Sequence, residues 1–323
     1  MASLLIIGGS GFFGKSILDS YKRGLLDQWG ITSVKVVARN AKALEHTNPE
    51  LSDITIELIN ADIGTCDVLP NADYVIHAAA STDAAKYLEQ PEIEKANIQA
   101  ATYNYCRLAP RFHKNSKIIY CSSGAVYGQQ PADLLQIPED FEPGSVEEMH
   151  ETKRDYSAAK RDSEKAIQDL GRVGLNVSIA RCFAFIGAYL PRDQHFAIGN
   201  FIEDGLNNRP IEVKARHAVY RSYMYADDLV HWLMVICDNA NLNCPIYNVG
   251  SDQAIAMNVL ADLVGVKFNN LIRKPGLSSN NIDRYVPSIN KAKNELGIEL
   301  SIDLDSAIDK TIQIICSQVI HAY

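Results

Sequence analysis

The sequence predicts an α/β fold: a doubly wound parallel sheet followed by a smaller C-terminal α/β lobe. Three observations carry this. Short β-rich apolar runs alternate with helical stretches as far as residue 182. The first of these runs ends in a glycine-rich turn that opens a helix. Beyond residue 182 the alternation becomes less regular. Apolar strands separated by helices are the pattern of βαβ units, whose parallel sheet is covered on both faces.

The elements follow in order. "SLLIIG" (3–8) is a short buried strand, and residues 12–28 carry helical periodicity. "SVKVVAR" (33–39) and "ITIELIN" (54–60) are strands, and "DYVIHAAA" (73–80) begins as a fourth. A long helix spans about 91–109, "SKIIYCSS" (116–123) is the fifth strand, 152–171 a second long helix and "LNVSIARC" (175–182) the sixth strand. Helices are expected at 195–207, 225–238, 255–265, 290–295 and 303–319, with short strands near 211–214 and 245–249. Residues 1–182, with 219–250 returning to them, form the first domain; 183–218 and 251–323 form the lobe.

At 323 residues, 47% hydrophobic and 22% charged, the chain has the proportions of a globular protein with a real core. A net charge of −8, without a basic patch, argues against a nucleic-acid surface. No apolar run reaches the ~18–20 residues that span a bilayer, and "MASLLIIGGSG" lacks the basic flank of a signal peptide. The seven cysteines are scattered and form no C-x-x-C pair, which argues against zinc or redox motifs, and no metal is expected. These features point to a cytoplasmic protein with neither nucleic-acid nor membrane partners.

"GGSGFFG" (8–14) places Gly8, Gly11 and Gly14 at G-x-x-G-x-x-G spacing between a strand and a helix. A tight turn there needs residues without Cβ, and the backbone must approach a pyrophosphate at the helix N-terminus. This is the context of a Rossmann-type dinucleotide site. Phe12 and Phe13 complete the loop. The end of the second strand usually reads the ribose: an acid accepts from the 2′-hydroxyl of NAD, an Arg pairs with the 2′-phosphate of NADP. "VVARN" offers Arg39 and no acid, which favours NADP(H) over NAD(H); a plain surface role for Arg39 is the alternative. Asp62, with Ile63 beside it, either meets the adenine amino group or caps a turn. Ala78, Ala79 and Ala80 let the backbone run against a flat cofactor.

The fifth strand ends in Ser122 and Ser123, at the edge where a parallel sheet binds ligands. "DYSAAK" puts Tyr156 and Lys160 one helical turn apart on one face. A hydroxyl, a phenol and an ammonium thereby converge. A free phenol has a pKa near about 10, and a neighbouring Lys⁺ favours phenolate. Such a phenol exchanges a proton with a substrate carbonyl or hydroxyl while hydride moves at the nicotinamide. Ser123 orients the substrate oxygen.

With "GGSGFFG", "HAAA", "ANIQAATYNYCRLA", "CSSGAVYG" and "YSAAK", the chain resembles the extended short-chain dehydrogenase/reductase family, the NAD-dependent epimerases and dehydratases. The likeness runs over nearly the whole chain. It implies that Asn97 helps build the site and that the substrate is a nucleotide-linked sugar. In "HFAIGNFI", Asn200 matches an Asn that meets the diphosphate, while Arg221 and Arg284 match diphosphate-gripping arginines. Arg forks suit two phosphate charges. Tyr127 and Phe183 are pocket wall or core, and His195 is a helix cap, a packing residue or a substrate contact.

The resemblance also weighs the reactions. Related 4,6-dehydratases carry Asp-Glu after the active Ser or Thr; here Gly124 and Ala125 stand there. Related 4-epimerases hold NAD tightly, usually with an acid where Arg39 lies and often Asn where Ala184 stands. A reductase of a nucleotide-linked 4-keto-6-deoxy sugar, serving surface-polysaccharide synthesis, fits best. Alternatives are a 4-epimerase and a non-catalytic nucleotide-sensing protein. Relatives often dimerise through helices matching 91–109 and 152–171, so a homodimer is expected.

Overall fold

The structure, a computed structural model, describes residues 1–80, 89–192, 194 and 196–320. In chain order it runs β1 (Ala2–Ile7), α1 (Phe12–Lys22), β2 (Ile31–Ala38), α2 (Leu44–Thr47), β3 (Ile56–Asn60) and β4 (Tyr74–His77). Then come α3 (Pro91–Phe112), β5 (Lys117–Ser123), α4 (Glu151–Arg172) and β6 (Asn176–Cys182). Next are β7 (Phe185–Ile186), α5 (Ala197–Leu206), β8 (Ile211–Glu212), β9 (Ala218–Arg221), β10 (Met224–Tyr225) and α6 (Ala226–Asp238). The chain continues through β11 (Ile246–Val249), β12 (Ile255–Ala256), α7 (Met257–Phe268), β13 (Ile272–Arg273), β14 (Ile282–Tyr285), α8 (Asn290–Leu296) and α9 (Leu304–Ile320).

Two compact units result. The first comprises Met1–Gly128, Glu142–Cys182 and Val230–Val249; the second Gln129–Phe141, Phe183–Leu229 and Gly250–Tyr323. The first holds a seven-stranded sheet in the order β11-β6-β5-β4-β1-β2-β3, parallel throughout. Strand order reverses between β1 and β4, the switch point where such sheets open a crevice at their carboxyl ends. Leu4, Leu5, Ile6 and Ile7 are all fully buried, as a central strand covered on both faces requires. On one face Leu5, Ile7, Val75, Ile118 and Ile179 pack with Tyr105 and Leu108 of α3 and Ile167 and Leu170 of α4. Each such side chain contributes about 1.5–3 kcal/mol on burial.

Sequence and structure differ in places. Helical periodicity runs to residue 28, yet α1 ends at Lys22 because Gly24 turns left-handed (φ +75°). α3 continues past Pro110, which lies in its last turn. There the missing N–H removes one hydrogen bond without breaking the helix.

The second unit is built on three short sheets: β12-β9-β14, β13-β8 and β10-β7. β9 pairs in parallel with β14, setting Tyr220 opposite Arg284 and Arg221 opposite Tyr285. Among the described residues no helix is long and apolar enough to cross a membrane.

Candidate active site

The site residues of the first unit gather at the carboxyl edge of its sheet. The turn after β1 keeps in register with the sheet: the Gly8 N–H donates to Val37 O (2.8 Å), and the Ala78 N–H to Ile7 O (2.8 Å). Gly8 has φ +89°, and a Cβ on it would lie 2.6 Å from the Ala79 backbone. A Cβ on Gly14 would lie 2.2 Å from the Gly9 backbone. Both glycines are thus demanded by the chain's own packing. Gly11 is different: a Cβ there would meet only Gly8 O, at 3.8 Å. Among the described residues nothing demands glycine at that position. Gly11 is also the N-cap of α1, and no side chain caps the helix. An open approach to uncapped N–H groups is the arrangement that accepts a pyrophosphate. The residues present therefore fit a dinucleotide.

Arg39 follows β2, exposed and with no ion pair among the described residues. Asp62 Oδ1 accepts from the Gly64 N–H (2.8 Å), so it caps its own turn; Ile63 beside it is buried. Ala78, Ala79 and Ala80 are half-buried at the end of β4. Phe12 and Phe13 meet edge to face in the first turn of α1 (5.8 Å). Asn97 is exposed on α3, where its side chain donates to Glu94 (3.3 Å).

Ser123 ends β5 and its Oγ accepts from the Ala125 N–H (3.2 Å), starting the tight turn Gly124–Tyr127. α4 holds that turn from the side: Ser157 Oγ donates to Ala125 O (2.9 Å) and Arg161 Nε to Val126 O (2.9 Å). The same helix carries Tyr156, half-buried, and Lys160, 2% exposed. Lys160 Nζ donates to Cys121 O (2.9 Å) and to the Tyr120 hydroxyl (3.2 Å), and lies 6.0 Å from the centre of the Tyr156 ring. Burial opposes the charge on Lys160. The Tyr120 and Tyr156 phenols outweigh burial and raise its pKa above the ordinary lysine value. Ser123, Tyr156 and Lys160 are therefore carried on one strand end and the helix packed beside it.

Two of the candidate residues are held inside the first unit by side-chain hydrogen bonds. Ser122 Oγ donates to Glu164 (2.5 Å) inside the protein, so its side chain serves that carboxylate. Tyr127 is 1% exposed, its hydroxyl donates to Asn248 (2.8 Å) and Arg181 stacks on its ring (4.7 Å). It is a core residue of the first unit, not a pocket wall. Both sit around a pair that the sequence reading missed, Glu164 with Arg181, joined by contacts of 2.8, 3.1 and 3.3 Å. Tyr156, Lys160 and Glu164 follow one another at intervals of four along α4. Extending the Tyr-Lys stripe by one turn would have found Glu164.

In the second unit Phe183 is buried against Tyr285 (ring centres 4.6 Å). Asn200 Nδ2 donates to Gln194 O (2.6 Å), while Asn200 Oδ1 is buried without a donor among the described residues. Arg221 departs from expectation. Its guanidinium donates to Asp283 Oδ2 (2.7 Å), Tyr220 O (2.8 Å) and Asp283 O (3.3 Å), so it ties β9 to β14. Arg284 stacks on Tyr220 (4.4 Å), and its Nε is buried without an acceptor among the described residues. His195 lies outside the described residues. All seven cysteines are free thiols.

A model of the NAD dependent epimerase/dehydratase family matches residues 4–250. The chain belongs to that family. As a member it is an enzyme, and the dinucleotide its glycine loop fits is the one the family name records. It is similar to UDP-glucuronic acid decarboxylase 1 of Danio rerio, 26% identical over 98% of this chain and 73% of that protein. It is also similar to dTDP-4-dehydro-6-deoxyglucose reductase of Escherichia coli, 23% identical over 96% of each. Among solved structures it resembles UDP-glucose 4-epimerase with UDP-glucose from Thermotoga maritima, with a TM-score of 0.79 and 20% identity over 98% of this chain and 99% of that one. At that identity the likeness establishes the fold of this epimerase/dehydratase family member.

Proposed function

We propose that this enzyme is an NAD(P)-dependent reductase of a nucleotide-linked 4-keto-6-deoxy sugar, working in surface-polysaccharide synthesis. The observation that carries the reading is the turn after Ser123. It is hydrogen-bonded to the helix that carries Tyr156 and Lys160, and it offers Gly124 and Ala125 where elimination of water would need an acid. The full-length likeness to the E. coli reductase supports the same reading.

A nicotinamide dinucleotide, when bound, supplies the hydride. The protein's part is to hold and protonate. Tyr156 gives its phenolic proton to the C4 oxygen of the sugar as that oxygen gains negative charge. The Ser123 hydroxyl donates a hydrogen bond to the same oxygen and fixes its direction. Lys160 holds a positive charge beside the Tyr156 ring and stabilises the phenolate left behind. Arg39 reads the 2′-phosphate of NADP, and Arg284, with no carboxylate partner among the described residues, meets the nucleotide diphosphate together with Asn200. The enzyme works as a homodimer through α3 and α4, and α3 leaves Ile93 and Tyr103 exposed for that contact.

The test mixes purified protein, NADPH and an NDP-4-keto-6-deoxyhexose. The reduced-nicotinamide absorbance is expected to fall as the sugar is consumed. No fall with any nucleotide base overturns the reading. Product formed without added NADPH, by protein that retains NAD through purification, would make it a 4-epimerase instead.

A further inference from the structure

We propose that Tyr120 is a positioning residue: its hydroxyl, with the Cys121 carbonyl, fixes the ammonium of Lys160 so that one N–H is left for the reaction. This rests on the role proposed above for Lys160. Lys160 is buried, and among the described residues no carboxylate pairs with it. A buried charge without a counterion persists only where its hydrogen bonds are met. An ammonium has three donors. One goes to Cys121 O at 2.9 Å and one to the Tyr120 hydroxyl at 3.2 Å, leaving a third. The Tyr120 ring also lies 4.8 Å below the ammonium, against 6.0 Å for Tyr156.

Tyr120 is itself held firmly. It is fully buried on β5, and His77 of β4 meets its ring edge to face at 5.4 Å. His77 in turn meets Tyr105 of α3 at 5.0 Å. Tyr120 stands three residues before Ser123, so the strand that places the serine also anchors the lysine. Ser123 and Lys160 are thereby fixed relative to one another, which a flexible four-carbon lysine stem could not achieve alone. The titratable groups facing Lys160 are Tyr120 and Cys121 of β5, His77 of β4, Tyr156 of its own helix and Cys182 of β6.

The test is Tyr120→Phe, which keeps the ring and removes the hydroxyl, studied in the NADPH-loaded protein by ¹⁵Nζ NMR at neutral pH. The Lys160 signal is assigned by its loss in Lys160→Met. Loss of a hydrogen bond to a charged group is expected to speed exchange of the Lys160 ammonium protons about tenfold to a hundredfold. Turnover on the NDP-4-keto-6-deoxyhexose is expected to fall by about the same factor at unchanged KM. Unchanged ammonium exchange overturns the proposal. If Tyr120→Phe does not fold, difluorotyrosine at position 120 replaces it, and a Lys160 signal that does not move overturns the proposal equally. The exchange rate is read without any sugar. Failure of the reductase reading, seen as no NADPH consumption by the unaltered protein, is thus separable from failure of this one.

Discussion

Two arginines, one in each unit, lie over tyrosine rings and meet opposite fates. Arg181 stacks on Tyr127 at 4.7 Å and Arg284 on Tyr220 at 4.4 Å. Arg181 is closed by Glu164 at 2.8 Å, with side chains 11% and 7% exposed. Arg284 has no such partner among the described residues, and its buried Nε lacks an acceptor. Guanidinium stacking is the same in both, so stacking alone does not mark a binding residue. What separates the two is the carboxylate. Arg221, next to Tyr220 and matched to a phosphate contact by resemblance, falls on the closed side because Asp283 holds it at 2.7 Å.

With Tyr156→Phe in the first unit, turnover is expected to fall by about 10²–10⁴ with cofactor binding retained, measured by steady-state kinetics and NADPH titration. Arg181→Met leaves Glu164 buried and unpaired and is expected to cost about 3–5 kcal/mol in denaturant unfolding. Combining it with Glu164→Leu is expected to recover most of that loss, because the unpaired charge is then gone.

A pH effect sharpens the picture of the first unit's interior. Burial, and then the Lys160 charge, lowers the His77 pKa to about 4. The folded protein therefore keeps His77 neutral while the unfolded chain takes up a proton near its ordinary value. Stability from this group is full above about pH 6.5 and falls as pH drops towards about 4, by about 3 kcal/mol in all. His77→Phe is expected to flatten that slope in unfolding curves between those pH values; an unchanged slope would place the titration elsewhere. The smallest effect is at Arg284. Arg284→Met is expected to weaken binding of a nucleoside diphosphate about tenfold, a charged hydrogen bond's worth, with little change in stability. Arg221→Met is expected to do the reverse, since it removes the guanidinium that ties β9 to Asp283 of β14.

Much of the first unit was legible because its strands repeat one physical pattern. "LLII" and "KIIY" are apolar runs of strand length, and the glycines of "GGSGFFG" stand where only a turn into a helix would need them. That Ser123 ends a strand, and that Tyr156 and Lys160 share one helix face, was legible for the same reason: strand end and helix face are set by period. The second unit was less legible. Strands of two residues such as β7, β8, β10 and β13 have no period to read. The capture of Arg221 by Asp283 joins residues 62 apart through strand pairing, which no local pattern announces. The partners of Tyr127 and Ser122, Asn248 and Glu164, are distant in sequence, so no local pattern announces them. An aromatic or a hydroxyl near a strand end reads alike whether it faces a ligand or the core.

The open Gly11 position, at an uncapped helix N-terminus, suits the pyrophosphate of a nicotinamide dinucleotide. Titration of the purified protein with NADPH and NADH in parallel tests it most directly. Saturable binding, tighter for NADPH through Arg39, is the result predicted. Binding of neither, by folded protein that carries no nucleotide from purification, would contradict it.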